Sequence, residues 1–284
     1  MKFNCRVCNG STSYFYHAIL ERPQIKVVKC KNCNLVQLSS TAHISAGYYE
    51  SDEYFGENLE SKLVNEKSWN LKRLELISKN LIQNEKKVAL DLGCGPGGFL
   101  EVGEGLFEKL YGFDLSARMR KWNTENNRLV LDNLNNVENI NVVMLFHVLE
   151  HIKKPLEFLN DIKKNFINLE TIIIEVPNNN ELLISKVDNK RYKNNHYSLD
   201  HLNYFNSETL NALLNMSSLK VLHETQYQRY RLGNTIGWLE YGKGGYQNYF
   251  REYNDPNFHE LYESYLVSRK IADTIFIIAS LKKN

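Results

Sequence analysis

The chain has 284 residues, a formal net charge of +2, and 43% hydrophobic and 24% charged side chains. That length and balance suit one large globular domain with an appendage, or two modest domains, and so small a charge excludes a dedicated nucleic-acid surface, so nucleic acid is not the expected partner. No apolar run is long enough to span a membrane, and the opening MKFNCRVCNG is polar where a secretory leader is apolar, so a cytoplasmic protein is expected.

Residues 1–40 carry four of the five cysteines as two knuckles, Cys5-x2-Cys8 and Cys30-x2-Cys33. Two such knuckles bring four thiolates into a tetrahedron, which is the donor set of a structural zinc site with no open coordination position. Disulfides are the alternative, and a cytoplasmic setting disfavours them. Ile25, Val27 and Val28 alternate as a hairpin between the knuckles requires, so a small zinc ribbon is expected here. Residues 41–85 form an entry segment. Its Tyr48, Tyr49 and Tyr54 suit either a lid over a ligand or packing between ribbon and core. Apolar residues from Leu59 to Ile82 recur at helical spacing, giving one or two amphipathic helices.

The stretch KKVALDLGCGPGGFLEVGEGLFEKLYGFD, residues 86–114, reads as a strand (Val88 to Leu92), a glycine turn, a helix, and a second strand ending at Asp114. This unit places a ligand at the carboxyl edge of a parallel sheet. Gly93, Gly95 and Gly98 spell the dinucleotide fingerprint, with an acid at Asp114. Asp91, however, puts a carboxylate where a pyrophosphate is repelled, and Pro96 removes a backbone N–H from the phosphate cradle. S-adenosylmethionine (SAM) fits better than NAD or a ligand-free turn, with its ammonium and sulfonium near Asp91 and its ribose hydroxyls on Asp114. Next come a helix capped by Ser116, a third strand over Arg128 to Leu131, a fourth strand NVVMLF, a helix with Pro155 in its first turn, and a fifth strand TIIIEVP.

DLGCGPGGFL followed by GFDLS resembles motif I and the second-strand acid of class I SAM-dependent methyltransferases. Together with the cysteine knuckles, it resembles sugar and surface-glycan methyltransferases related to deoxysugar C-methyltransferases. The resemblance implies a doubly wound, Rossmann-like α/β fold: a seven-stranded sheet with a small N-terminal zinc ribbon and a methyltransferase domain over residues 86–284. It also implies SAM contacts from Asp91, Gly93, Cys94, Gly95, Gly97, Asp114, Leu115 and Phe146, with Asp132 and Asn133 on the adenine.

At the end of the fourth strand, FHVLEHI puts His147, Glu150 and His151 on one face if the segment turns helical. They either brace neighbouring backbone or act in chemistry. His151 can be a general base. Alternatively, the three with a later histidine can hold a divalent metal, an arrangement that resembles small-RNA 2′-O-methyltransferases.

The segment after the fifth strand contains Asp200-His201, with His196 and Tyr197 nearby. It resembles the acid–histidine pair of sugar methyltransferases, which implies His201 as a base oriented by Asp200. A helix capped by Ser207, a sixth strand LKVLHETQYQRY, and a last strand TIFIIASL complete the sheet. An insertion over residues 231–270 offers Trp238, Tyr241, Tyr246 and Tyr249 as flat faces for a sugar or base, or for core packing, and closes with the helix HELYESYLVSRKIA. Arg229, Tyr230 and Arg231 can hold a phosphate or line a solvated edge.

The expected reaction is O-methylation of a sugar, nucleotide-sugar or surface-glycan precursor, with a histidine base. The related C-methyltransferases have a further C-terminal domain that this chain is too short to hold. Carbon methylation, RNA methylation docked by the ribbon, and SAM binding without turnover are the alternatives.

Overall fold

The computed structural model describes residues 3–16, 22–45, 47–51, 58–81, 87–135, 137, 139–245 and 255–282; Tyr54, Ile82, Tyr246 and Tyr249 lie outside them. The main sheet has six strands: β4 (Val88–Leu92), β5 (Lys109–Phe113), β6 (Ile140–Phe146), β7 (Thr171–Pro177), β9 (Leu219–Tyr227) and β10 (Thr274–Leu281), in the order β5-β4-β6-β7-β10-β9. The first four run parallel, and β10 is antiparallel to both neighbours. The central strands β6, β7 and β10 are near-continuous apolar runs because both of their faces are covered. On one face, Leu145 and Ile174 pack with Leu159 of α4 (Pro155–Asn165) and Leu213 of α7 (Ser207–Met216). On the other, Met144 and Ile173 pack with Ile77 of α1 (Leu59–Asn80) and Phe99 of α2 (Gly98–Val102).

The expected seventh strand is absent among the described residues. Over Arg128 to Leu131 the chain makes one parallel bridge, Gly112 to Val130, held by Gly112 N–Leu129 O (2.8 Å) and Leu131 N–Gly112 O (2.9 Å). Leu129 is exposed, and the polar Asp132-Asn133 follows immediately, so nothing at this edge buries enough side chain to extend the pairing.

The amino-terminal knuckles are joined by β1 (Thr12–Tyr16) and β2 (Val27–Cys30), followed by β3 (Val36–Leu38), all antiparallel. A fourth strand, β8 (Asn203–Tyr204), comes from the loop after β7 and pairs with β3. The expected ribbon is thus completed by residues from the far side of the sequence. Its Cys5, Val7, Cys30 and Leu35 belong to the same core cluster as the sheet.

Several local expectations hold. The Ser116 side chain caps α3 (Ala117–Glu125), and Pro155 opens α4. The cap of α7 is Asn206, not Ser207. The Asn206 side chain accepts from Thr209 N at 2.8 Å while Thr209 Oγ1 bonds back to Asn206 N at 2.9 Å, a reciprocal pair that serine one position later cannot make.

Candidate active site

A cavity of about 540 Å³ opens at the carboxyl ends of β4, β5, β6 and β7. Its floor is the glycine turn after β4. Gly93 has φ +87°, and a Cβ there falls 2.6 Å from Val148 Cγ2. Gly97 has φ +84°, and a Cβ there falls 1.9 Å from Asn123 Oδ1. Both positions therefore demand glycine. Gly93, Cys94 and Gly95 line the cavity; Gly97 does not, and its role is close packing against α3 instead of ligand contact.

Asp91 is 2% exposed, and its Oδ1 has no hydrogen-bond partner among the described residues. Burial pushes its carboxyl up to about 7, with Arg73 opposing and Asp114 adding to the rise. A buried acid of this kind calls for a cation from the cavity. Asp114 is pinned by two backbone donors, Gly95 N to Oδ2 and Ser116 N to Oδ1, both at 2.9 Å, so its remaining lone pairs can take hydroxyls. Leu115 and Phe146 also line the cavity. Asp132 and Asn133 do not. Both are exposed, and Asn133 Oδ1 accepts from Asn135 N, because the reduced third strand never carries this loop to the cavity.

His147 leaves β6 with φ 55°, and its backbone N donates to Glu175 O at 2.9 Å. Its Nδ1 lies 3.0 Å from Glu150 Oε1, and its Nε2 lies 2.8 Å from Arg229 Nη1 and 2.9 Å from Glu175 Oε1. A guanidinium only donates and a carboxylate only accepts, so Nδ1 donates to Glu150 while Nε2 stands between the Arg229 donor and the Glu175 acceptor. Both ring nitrogens are spent on the framework, which corrects the expectation of a catalytic His147. Glu150 is 1% exposed and lies behind the cavity wall. Burial raises its carboxyl, but the His147 hydrogen bond and the neighbouring histidines outweigh this and hold it at about 2.

The expected helical face is a 3-10 turn, Leu149–His151. His151 Nδ1 lies 2.9 Å from the Asp200 carbonyl oxygen, which can only accept. The Nδ1 therefore carries a proton, and in the neutral ring Nε2 holds the lone pair. The ring sits edge-on to His201, with centroids 4.9 Å apart, and both rings line the cavity. Burial and the nearby His151 pull His201 down to about 3, so it stays neutral. The Asp200 carboxylate accepts from Tyr48 OH at 2.5 Å and makes no bond to His201. The expected Asp200–His201 dyad is corrected to an Asp200 carbonyl–His151 pair, because pairing β8 with β3 turns the Asp200 side chain toward residues 48–50.

A family model described as a methyltransferase domain matches residues 65–224. The chain belongs to this methyltransferase family. It is a class I SAM-dependent methyltransferase, and Asp91 and Asp114 suit the charged amino-acid end and the ribose of that donor. A search of the curated proteins finds no match.

Solved structures share the methyltransferase fold at low identity. A chain of the Haloferax volcanii complex between the Trm112 methyltransferase activator and a methyltransferase has a TM-score of 0.54 and 12% identity, over 82% of this chain and 99% of that one. A SAM-dependent methyltransferase from Archaeoglobus fulgidus has a TM-score of 0.48 and 20% identity, over 81% and 100%. The magnesium protoporphyrin IX methyltransferase of Synechocystis PCC 6803, with S-adenosylhomocysteine (SAH) bound, has a TM-score of 0.49 and 11% identity, over 84% and 95%.

Away from the cavity, the methyltransferase gathers Cys5, Cys8, Cys30 and Cys33 so that all four sulfurs lie within 4.8 Å of one another, none in a disulfide. Backbone N–H groups of Val7, Asn32 and Cys33 point at the Cys5 and Cys30 sulfurs. This donor set fits a tetrahedral metal, for which sulfurs about 3.8 Å apart follow from a metal–sulfur bond of about 2.3 Å.

Sequence reasoning missed the contribution of α1, whose Lys62, Trp69, Asn70 and Arg73 line the active-site cavity. Arg73 Nε and Nη2 clamp Glu175 on β7 at 2.9 and 2.5 Å, and Nη1 donates to Asn70 Oδ1 at 2.6 Å. The signal was present as two polar residues three apart on the helix face that carries Ile77. Among the described residues, no helix is long and apolar enough to cross a membrane.

Proposed function

We propose that this methyltransferase acts on a hydroxyl of a sugar, nucleotide sugar or surface-glycan precursor, with His151 as general base. The observation that carries the reading is the Asp200 carbonyl on His151 Nδ1, which leaves the ring's lone pair at Nε2, on a side chain lining the cofactor cavity. SAM, when bound, supplies a methyl group on a sulfonium. Asp91 would hold its ammonium end and Asp114 its ribose hydroxyls. His151 Nε2 would take the proton of the acceptor hydroxyl that receives the methyl group. Neutral His201 walls the acceptor side.

In this reading the four cysteines hold a structural zinc, and a cytoplasmic setting keeps the thiols reduced. Turnover against a panel of nucleotide sugars and glycosides is the test. His151→Asn, whose amide nitrogen takes the place of Nδ1 and can still donate to the Asp200 carbonyl, lowers kcat by about 10²- to 10⁴-fold while SAH affinity stays within twofold. An unchanged kcat removes the base assignment.

One observation favours a second reading. Glu150 Oε2 is buried with no hydrogen-bond partner among the described residues, and ligand atoms of Glu150, His151 and His201 lie within 4.8 Å of one another. Glu150, His151 and His201 would hold a divalent cation there, which would lower the pKa of an acceptor hydroxyl in place of a base. Turnover abolished by chelation and restored by magnesium or manganese, together with loss of manganese binding in Glu150→Gln, selects this reading. Chelator-resistant turnover selects the base.

A further inference from the structure

Past His201 the cavity continues into a second chamber of about 300 Å³, which shares Pro177, His201, Arg229 and Tyr230 with the first. That volume is at the low end for small-molecule sites, enough for a single ring and too small for a nucleotide. Its wall is aromatic on one side, where Tyr192 meets Trp238 edge-to-face at 5.1 Å and stacks on His196 at 6.0 Å.

The polar groups facing it are neutral. His196 Nε2 is buried without a hydrogen-bond partner among the described residues, and burial pulls that imidazole down to about 3, so it carries no charge. Asn234 spends Oδ1 on Gly245 N at 2.9 Å, which leaves its Nδ2 as a donor. Ser198 adds a hydroxyl.

The two charged residues of the chamber answer each other and the framework. Asp273 accepts from Arg229 N (3.1 Å), Gln228 Nε2 (2.9 Å) and Thr274 Oγ1 (2.7 Å), and faces Arg229 Nε at 3.7 Å. Arg229 Nη1 is committed to His147. Among the described residues, the chamber therefore offers flat apolar surface and unspent neutral hydrogen-bonding groups, and its guanidinium, Arg229, whose Nε has no hydrogen-bond partner, is offset in charge by Asp273. Buried neutral polar groups of this kind cost free energy until a ligand pairs them.

We infer that the second chamber seats one uncharged sugar ring of the acceptor, packed on Tyr192 and Trp238 and hydrogen-bonded by His196 and Asn234, so that a hydroxyl reaches the first cavity past His201. This deepens the proposed sugar methylation and rests on it. It adds that the ring beside the reacting hydroxyl is neutral, which rejects uronates and sugar phosphates at this position.

The test is saturation-transfer NMR and calorimetric titration of the full chain, saturated with SAH, against methyl glycosides of neutral hexoses and 6-deoxyhexoses, glucuronate, and glucose 6-phosphate. At least one neutral glycoside binds, at least fivefold tighter than either charged compound. His196→Phe keeps the ring packing but deletes the nitrogen and weakens that glycoside about three- to tenfold. Trp238→Ala weakens it at least tenfold, while SAH affinity in both variants stays within twofold. Should Trp238→Ala not fold, Trp238→Phe replaces it, with a smaller loss expected. Charged sugars binding as well as neutral ones, no neutral glycoside binding at all, or variants that bind like the wild type overturn the inference. Glycosides that bind in the chamber but are never methylated sink the proposed reaction and leave the chamber assignment standing; methylation of a sugar that these variants bind and turn over normally does the reverse.

Discussion

Asp91→Asn tests the electrostatics on which cofactor selection depends. The carboxyl is raised from 3.8 to about 7, chiefly by burial. A raised folded-state value means that the ligand-free protein holds this proton while the unfolded chain has lost it. The stabilisation is complete below about pH 4 and is lost as pH rises toward 7, at about 1.4 kcal/mol per unit and about 4 kcal/mol at most. The asparagine variant lacks that loss. Its amide is left as poorly paired as Oδ1 is now, at a cost of about 1–3 kcal/mol. Without ligand at pH 8, the variant is therefore expected to be more stable than wild type by about 1–3 kcal/mol, and by pH 4 the ranking should reverse, with the variant less stable by the about 1–3 kcal/mol that its amide costs.

Ligand reverses the ranking. An ammonium beside Asp91 favours the carboxylate, so SAH binding to the wild type releases close to one proton at pH 6 and little at pH 8.5. The variant binds without this release and more weakly by about ten- to hundredfold, the range for losing a charge-assisted hydrogen bond. Calorimetry in two buffers of different ionisation enthalpy gives affinity and proton count together, and denaturant melts across pH give the stability difference. A variant that is less stable than wild type at pH 8 without ligand, or that binds SAH equally well, refutes the reasoning.

Two further predictions concern the framework. Arg73→Met strands Glu175, which is fully buried on β7, and should cost about 3–5 kcal/mol in denaturant unfolding, whereas Arg73→Met with Glu175→Leu recovers most of that loss. Stripping the proposed metal from the four cysteines with a mercurial reagent and chelator, or Cys8→Ser, should lower methyl transfer at least tenfold while leaving SAH affinity within threefold, since among the described residues no ribbon residue lines the cavity. Equal losses of SAH binding and turnover would count against that separation.

The cofactor half of the site was legible in the chain because its determinants are local. The strand at Val88–Leu92, the glycines at 93 and 97 and the acid at 114 fall within one βαβ unit, and the register that joins them is short. Asp132 lies outside the cavity lining because the expected third strand is reduced to a single bridge, and pairing there depends on edge burial, which a four-residue motif does not encode. His147, His151 and His201 all line the cavity, but their roles depend on which carbonyl or carboxylate each ring meets. His147 is claimed by Arg229 and Glu175, and His151 by a backbone oxygen 49 positions later. Such partners become visible only when distant strands come together.

The ribbon shows the same limit most sharply, and it suggests why a four-cysteine knuckle pair sits on this enzyme at all. Arg6, between the first two cysteines, donates to Leu202 O at 2.7 Å and Leu38 O at 2.5 Å, and burial pulls its guanidinium down to about 10. A buried cation served largely by carbonyls is tolerable only while the knuckle and the loop both hold their places. Leu202 N in turn donates to Glu150 O at 2.8 Å, and Asn203 Nδ2 to Ile152 O at 2.8 Å, which ties the loop to the turn that carries His151. The carbonyl that sets the His151 tautomer lies two residues before Leu202 in that loop. In the proposed reading, a metal at the knuckle would act on the chemistry through backbone position, by holding the loop whose Asp200 carbonyl meets His151 Nδ1.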